Sequence, residues 1–209
     1  VRMTHHSNAI EGNTLTLNET YTIILDSTIP GSQSVREVFE VLNHKKAIDY
    51  IISELENEKK LDIYMIKNIN KEILDRLNDN AGNFKNSSNA IIGADFETST
   101  PSQAPVLTKN WIENLNYRLE LCKNDDEKLL EILNSHIEFE RIHPFSDGNG
   151  RTGRLIMMYL CFQEKIAPFV IEKEDRALYM SYLREQNVDI IFEKVKELQK
   201  FEQKRIDKF

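Results

Sequence analysis

Residues 127–162 constrain the fold of this chain more than any other stretch. From Glu127 to Ile142 the apolar residues Leu129, Leu130, Ile132, Leu133, Ile137 and Phe139 fall on one helical arc, with Asn134, Ser135, Glu138 and Arg141 opposite. Pro144 cannot continue that helix, because proline lacks an N–H and pushes the preceding His143 out of the α region. Leu155 to Phe162 is then an unbroken apolar run of good helix formers without the alternation of a strand, so a second helix is expected to begin near Asn149 or Gly150. Being apolar all round, it belongs in an interior. Further helix-period segments lie around residues 35–58, 61–77, 108–122 and 189–206, and glycine is sparse, with 7 in 209 residues. The expected fold class is therefore all-α in one domain, with one short β-hairpin. The hairpin is expected between Asn78 and Thr108, where the helical period disappears and Asn, Ser, Gly, Thr and Pro gather around Ala90-Ile91-Ile92. Pro101 and Pro105 follow, which makes its later arm an edge strand.

The bend between the two central helices, His143-Pro144-Phe145-Ser146-Asp147-Gly148-Asn149-Gly150-Arg151-Thr152-Gly153-Arg154, places a base, an acid, three glycines, an amide and two arginines in twelve residues. Gly148 and Gly150 allow positive φ and bare N–H groups, at a helix N-terminus whose dipole already favours an anion. Gly148, Asn149 and Gly150 form the expected anion nest, with the side-chain amide of Asn149 as a further donor. Arg151 and Arg154, three apart on a helix, share a face and suit the successive phosphates of a polyanion. Asp147 brings hard oxygen donors to the mouth of this cradle, suited to Mg²⁺ bridging to phosphate oxygens and equally to a helix N-cap. The His143 imidazole beside the proline kink is placed to take a proton from a hydroxyl as that oxygen attacks phosphorus. Phe145 is expected to plug the core and hold the loop's shape.

Two other phosphate motifs are tested by the same residues. Gly148-x-Gly150-x-x-Gly153 satisfies a dinucleotide fingerprint, but that motif needs a preceding strand in a βαβ unit, and a helical segment with a proline precedes it here. The Walker A pattern fails because no Lys-Ser or Lys-Thr pair follows the glycines.

A formal charge of −7 and a pI near 5.4 make the surface as a whole repel nucleic acid, so a small anion is the expected ligand and no nucleic-acid partner is expected. Cys122 and Cys161 lie far apart without metal-like spacing and are expected to be buried free thiols. No apolar run reaches about 18 residues and no charged-then-apolar leader opens the chain, so no membrane association and a cytoplasmic location are expected. The chain begins at Val1, which leaves open what precedes it.

Upstream, residues 1–12 read as a helix stopping at Gly12-Asn13, and Thr16-Leu17-Asn18-Glu19 as a capping box opening the next helix. Glu11, in the last turn of that first helix, faces the negative end of its dipole, a placement that costs about 0.3–1 kcal/mol unless something compensates. A break of a local rule points to function, and Ser7, four residues earlier, shares the face of Glu11. His136 and Glu140, one turn apart within the apolar arc, are expected to form a buried pair, either a core contact or a brace for the loop.

The run His143 to Arg154 fits H-P-F-x-[D/E]-G-N-G-R-x-x-R at every defined position and is preceded by the helical HIEFERI; it resembles the Fic (filamentation induced by cAMP) family. Ser7-x-x-x-Glu11-Gly12 resembles the family's inhibitory motif, and Ile91-Ile92-Gly93 ahead of Pro101 and Pro105 its target-docking flap. The resemblance implies an inhibitory helix segment over residues 1–13 and a Fic-type helical domain with a β-hairpin flap over 14–209. The implied activity is Mg²⁺-dependent protein adenylyltransfer, in which a Tyr, Thr or Ser hydroxyl of a target attacks the α-phosphorus of ATP, leaving AMP on the protein and releasing pyrophosphate. His143 is the implied base. Glu11 is implied to pair with Arg154 and block the γ-phosphate, and Tyr179 and Asn187 to complete an adenine pocket. Gly148 favours nucleotide transfer over the family's phosphotransferase branch. Some members that keep the inhibitory glutamate also remove AMP, using it to position water, so Glu11 is implied to serve either direction. The implied partner is a target protein, or the chain itself, with a homo-oligomer left open. The other functional class is a nucleotide-binding regulatory protein without meaningful turnover.

Overall fold

The helices follow from the apolar periodicities, and their order decides what surrounds the loop. The computed structural model describes residues 1–88 and 98–208. Among these it has nine α-helices: α1 (Arg2–Ile10), α2 (Leu17–Leu25), α3 (Val35–Glu56), α4 (Ile63–Ile73), α5 (Ala104–Leu121), α6 (Asp125–Ile142), α7 (Asn149–Gln163), α8 (Arg176–Glu185) and α9 (Phe192–Ile206). The fold is all-α. Helix α7 is the axis, with Leu155, Ile156, Met157, Tyr159, Leu160 and Cys161 all buried. It is enclosed by α6, α4, α3 and α1. The main core joins Met65, Ile66 and Ile69 of α4, Trp111 and Leu115 of α5, Ile132 and Leu133 of α6, Tyr179 and Tyr182 of α8, and Val195 of α9. A second, smaller cluster of Leu15, Ile23, Val38 and Val41 seats α2 on α3.

Local signals set the helix ends. The Thr16 Oγ1 accepts from the Glu19 N–H at 3.2 Å while the Thr16 N–H donates to Glu19 Oε2 at 2.7 Å, the reciprocal capping box. Asn124 Oδ1 caps α6 by accepting from the Glu127 N–H at 2.9 Å, and Asp125, Asp126 and Glu127 load its first turn with acid, where the dipole favours it. Helix α1 is pinned to the rest of the molecule by side chains. Arg2 reaches Glu172 at 2.7 Å and Glu202 at 3.2 Å, Arg176 Nε donates to the Ile10 carbonyl at 2.9 Å, and Asn8 Nδ2 donates to the Glu40 carbonyl at 3.3 Å.

Three expectations are corrected. Helix α5 begins at Ala104, ahead of the expected 108, with Pro105 in its first turn, where the missing N–H has no helical partner to lose. Ser135 lies in the core instead of opposite the apolar arc, its hydroxyl satisfied by the Ile132 carbonyl at 2.8 Å. Cys161 is buried as expected, but Cys122 ends α5 and is half-buried. The segment around Ile91 and Ile92 lies outside the described residues. Among the described residues the only β-pairing is an isolated antiparallel bridge between Phe84 and Phe145. No helix among them is long and apolar enough to cross a membrane.

Candidate active site

The loop between α6 and α7 takes its shape from two backbone reversals. His143 closes α6, its N–H donating to the Phe139 carbonyl at 2.9 Å, and sits in the left-handed region at φ 48°, ψ 61°, a conformation that a residue with a Cβ seldom adopts. Pro144 then carries the chain away from the helix axis. Gly148 makes the second reversal at φ 74° and leaves α7 without a side-chain cap, so the first-turn N–H groups of Asn149, Gly150 and Arg151 open into the loop. Between the reversals Phe145 is 1% exposed and stacks on Phe84 with ring centroids 5.9 Å apart.

The Asn149 side chain is not aimed at an anion. Its Oδ1 accepts from the Phe145 N–H at 3.0 Å and its Nδ2 donates to the Phe145 carbonyl at 2.8 Å, because a buried loop backbone needs partners and this amide supplies both. What Asn149 offers a ligand is its backbone N–H. A second brace comes from Asn70 of α4, which sequence reasoning missed. Its Nδ2 donates to the Asp147 carbonyl at 3.0 Å and to Thr152 Oγ1 at 3.3 Å, and its Oδ1 accepts from the Gly82 N–H at 3.0 Å. The available signal was an amide beside Ile69 and Ile73 on a strongly apolar face.

Both arginines are buried, Arg154 to 3% and Arg151 to 6% side-chain exposure. Arg154 Nη2 donates to Glu11 Oε1 at 2.6 Å and to the Ser7 carbonyl at 2.8 Å, Nε donates to Ser7 Oγ at 3.0 Å, and Nη1 donates to the Tyr179 hydroxyl at 3.4 Å. Burial alone would lower the Arg154 pKa, but Glu11 and Tyr179 outweigh it and hold the guanidinium more firmly charged than usual. Arg151 is drawn toward Asp147 Oδ1 at 3.6 Å and Glu40 Oε1 at 3.8 Å, and Glu40 is a second neighbour that sequence reasoning missed. The Glu11 carboxylate lies over Gly150: a Cβ placed there would be 2.5 Å from Glu11 Oε1 and 3.0 Å from Arg154 Nη1. Ser7 and Glu11 thus meet the loop from α1, and a carboxylate sits at the open N-terminus of α7.

Tyr179 is brought to Arg154, while the side-chain contact of Asn187 is with its own turn. The Tyr179 ring is 1% exposed, and its hydroxyl links Arg154 to His136 Nε2 at 2.7 Å, so it is a buried strut beneath the arginine. Asn187 is exposed and its Oδ1 accepts from the Asp189 N–H at 3.0 Å, capping a single 3-10 turn over Val188–Ile190. The expected direct His136–Glu140 pair is also different, since His136 hydrogen-bonds Tyr179 while Glu140 Oε2 lies 3.7 Å from His143 Nδ1. Burial lowers the His136 pKa to about 4, so this ring is neutral near pH 7.

His143 is 16% exposed at the loop mouth, with Nδ1 3.3 Å from the Glu140 carbonyl oxygen. Asp147 is 42% exposed there, its Oδ1 accepting from the Gly148 N–H at 2.6 Å. Among the described residues no three His, Cys, Asp or Glu side chains gather as a metal cage. One exposed carboxylate beside an anion nest fits a Mg²⁺ ion that arrives with a polyphosphate, an ion commonly held by one or two carboxylates plus substrate oxygens.

The geometry agrees with the comparisons. Residues 60–161 match the Fic/DOC family. A protein adenylyltransferase Fic of Nematostella vectensis is 29% identical over 189 residues, and one of Drosophila willistoni is 29% identical over 185. Each alignment covers 88% of this chain but only 42% and 36% of the relative, so the chain spans about two fifths of the length of these relatives. The crystal structure of a Fic-domain-containing signaling protein from Bacteroides thetaiotaomicron superposes with a TM-score of 0.80 at 25% identity, covering 90% of this chain and 71% of that one. The chain is thus similar to the Fic/DOC family over residues 60–161, and its helical architecture is shared with a solved Fic-domain protein.

Proposed function

We propose that this chain is a Mg²⁺-dependent protein adenylyltransferase that uses ATP and is held off by α1. The observation that carries the reading is the Glu11 carboxylate seated over Gly150 and bonded to Arg154 at 2.6 Å, a carboxylate standing where an anion nest and a buried guanidinium would receive a phosphate. In the competent state the triphosphate takes that place, on the N–H groups of Asn149, Gly150 and Arg151 and on the guanidinium groups of Arg151 and Arg154. Asp147 is the residue to hold Mg²⁺, which when bound neutralises phosphate charge. His143 Nε2 removes the proton of a Tyr, Thr or Ser hydroxyl on the target. The bond from that oxygen to the α-phosphorus forms as the bond to the pyrophosphate oxygen breaks, and pyrophosphate departs with the electron pair. The relatives named protein adenylyltransferase support the same reading.

Inhibition in this reading is a competition for Arg154. The Glu11 side chain is 38% exposed and stands at the C-terminal cap of α1, so rotation about its own bonds frees the site without unfolding the helix. The same carboxylate, directed at the cradle, is a base for water in the reverse reaction, removal of AMP from a modified target. The segment containing Ile91 and Ile92 is assigned to target docking, by adding an extended target strand to its edge. The test is incubation with α-labelled ATP and Mg²⁺, comparing the native chain with Glu11→Gly. Label on protein, raised by the substitution, supports the transferase; nucleotide binding without label in both proteins would make the chain a nucleotide-binding regulator.

A further inference from the structure

The reaction as derived leaves Glu140 without a use. It is 7% exposed, and its Oε1 is buried without a hydrogen-bond partner among the described residues. A buried carboxylate left half unpaired calls for a reason, and the surrounding donors supply one.

The hydrogen positions follow by elimination. Arginine has five N–H donors and no acceptor, so Arg154 Nη1 donates to the Tyr179 oxygen. The Tyr179 hydroxyl hydrogen is then directed to His136 Nε2, 2.7 Å away, which must accept it. His136 is neutral at pH 7, so its single ring hydrogen lies on Nδ1. That Nδ1 is the other buried atom with no partner. Both unpaired atoms lean over Gly153, where an added Cβ would lie 2.7 Å from His136 Nδ1 and 3.1 Å from Glu140 Oε1. The His136 ring and the Glu140 carboxylate therefore both crowd Gly153, with no hydrogen bond between them. On the other side of the carboxylate, Oε2 lies 3.7 Å from His143 Nδ1, which also faces the Glu140 carbonyl. Both of these oxygens only accept, so Nδ1 carries the hydrogen and Nε2 keeps its lone pair.

We propose that Glu140 is the positioning residue of this site, its carboxylate facing the Nδ1–H of His143, so that His143 meets its substrate with Nε2 unprotonated. The charged and titratable groups facing it are His136 on its own helix, His143 in the loop, Arg154 of α7, and Tyr179 and Tyr182 of α8. Burial works to raise the Glu140 pKa, but His143, His136 and Arg154 prevail and hold it below the ordinary carboxylate range, so it is an anion near neutral pH. The anion fixes the ring's tautomer and stabilises the positive charge that develops on it, the service a buried aspartate gives the histidine of a serine protease. Gly153, with no role in phosphate binding, is required because any side chain there would strike both His136 and Glu140.

The proposal rests on His143 being the base, and the experiment separates the two. In the full chain carrying Glu11→Gly, single-turnover labelling with α-labelled ATP and Mg²⁺ is followed for Glu140→Gln, Glu140→Asp and His143→Ala. Glu140→Gln should slow transfer by about 10–100-fold, the usual scale for a lost orienting partner, with ATP affinity within about twofold. Glu140→Asp, which keeps the charge, should recover most of that rate. In parallel, the ¹⁵N spectrum of the histidines in the unsubstituted chain should show His143 as the Nδ1–H tautomer, a readout that needs no variant to fold. An Nε2–H tautomer, or a Glu140→Gln rate within twofold of the parent, would overturn the proposal. Full activity of His143→Ala would instead overturn the base assignment.

Discussion

Glu11→Gly is the perturbation that asks most of the structure, because it joins residues 143 positions apart in the chain. Arg154 is buried, and its shortest side-chain contact is the 2.6 Å bond to Glu11, backed by Ser7 and Tyr179. A hydrogen bond between charged groups contributes about 1.5–3 kcal/mol when desolvated. Since Glu11 is 38% exposed, solvent screens part of this, and a bias of about 1.4–2.7 kcal/mol toward the inhibited state remains, equivalent to about 10–100-fold in the population competent for ATP. Self- and target-labelling by α-labelled ATP should rise by that factor in Glu11→Gly, with the thermal transition little changed, because Arg2, Asn8 and Arg176 still pin α1. Arg154→Ala should not imitate it, since the arginine is both the inhibitory partner and the phosphate clamp. The double variant should therefore behave as Arg154→Ala alone. Unchanged labelling in Glu11→Gly would refute the competition outright, and a double variant as active as Glu11→Gly would show that Arg154 does not hold phosphate.

His143→Ala should abolish transfer while ATP affinity, measured by calorimetry, stays within a few-fold, because the ring meets the incoming hydroxyl and not the nucleotide; wild-type-like single-turnover labelling would contradict this. Gly148→Ala places a side chain at φ 74° with its Cβ 3.1 Å from Asn70 Nδ2 and 3.3 Å from Leu74, which should destabilise by about 1–2 kcal/mol and lower the thermal midpoint by roughly 2–8 °C. Gly150→Ala meets only the mobile ends of Glu11 and Arg154, so it should melt near the native midpoint yet lose ATP binding by about tenfold or more, as its methyl fills the nest. Burial lowers the pKa values of His5 and His136 from 6.5 to about 4, and that of the fully buried His44 well below its ordinary value. The folded state therefore binds fewer protons than the unfolded chain in that window, and the associated stability, present above pH 6.5, is lost as pH falls toward 4. Melting curves between pH 7 and 4 should shift steadily downward, and a flat midpoint would rule this out.

The elements whose nature depends on neighbours along the chain were legible in the sequence. The apolar arc from Leu129 to Phe139, the proline after His143 and the apolar run from Leu155 determine helix, bend and buried helix, because periodicity and backbone sterics act over one or two turns. The capping box at Thr16 and the misplaced acid at Glu11 were likewise readable from local rules. Which polar atom meets which is another kind of information. Asn149 looked like a phosphate donor and braces Phe145, Tyr179 looked like a pocket wall and stands under Arg154, Asn70 signalled only an amide on an apolar face, and Glu40 gave no sign that it leans on the loop. A side chain's type states that it needs a partner, but the partner depends on how α1, α3, α4 and α8 are set around α7. That arrangement is settled by packing over the whole core, so only the tertiary structure brings Glu11 to Arg154 and Glu140 between two histidines.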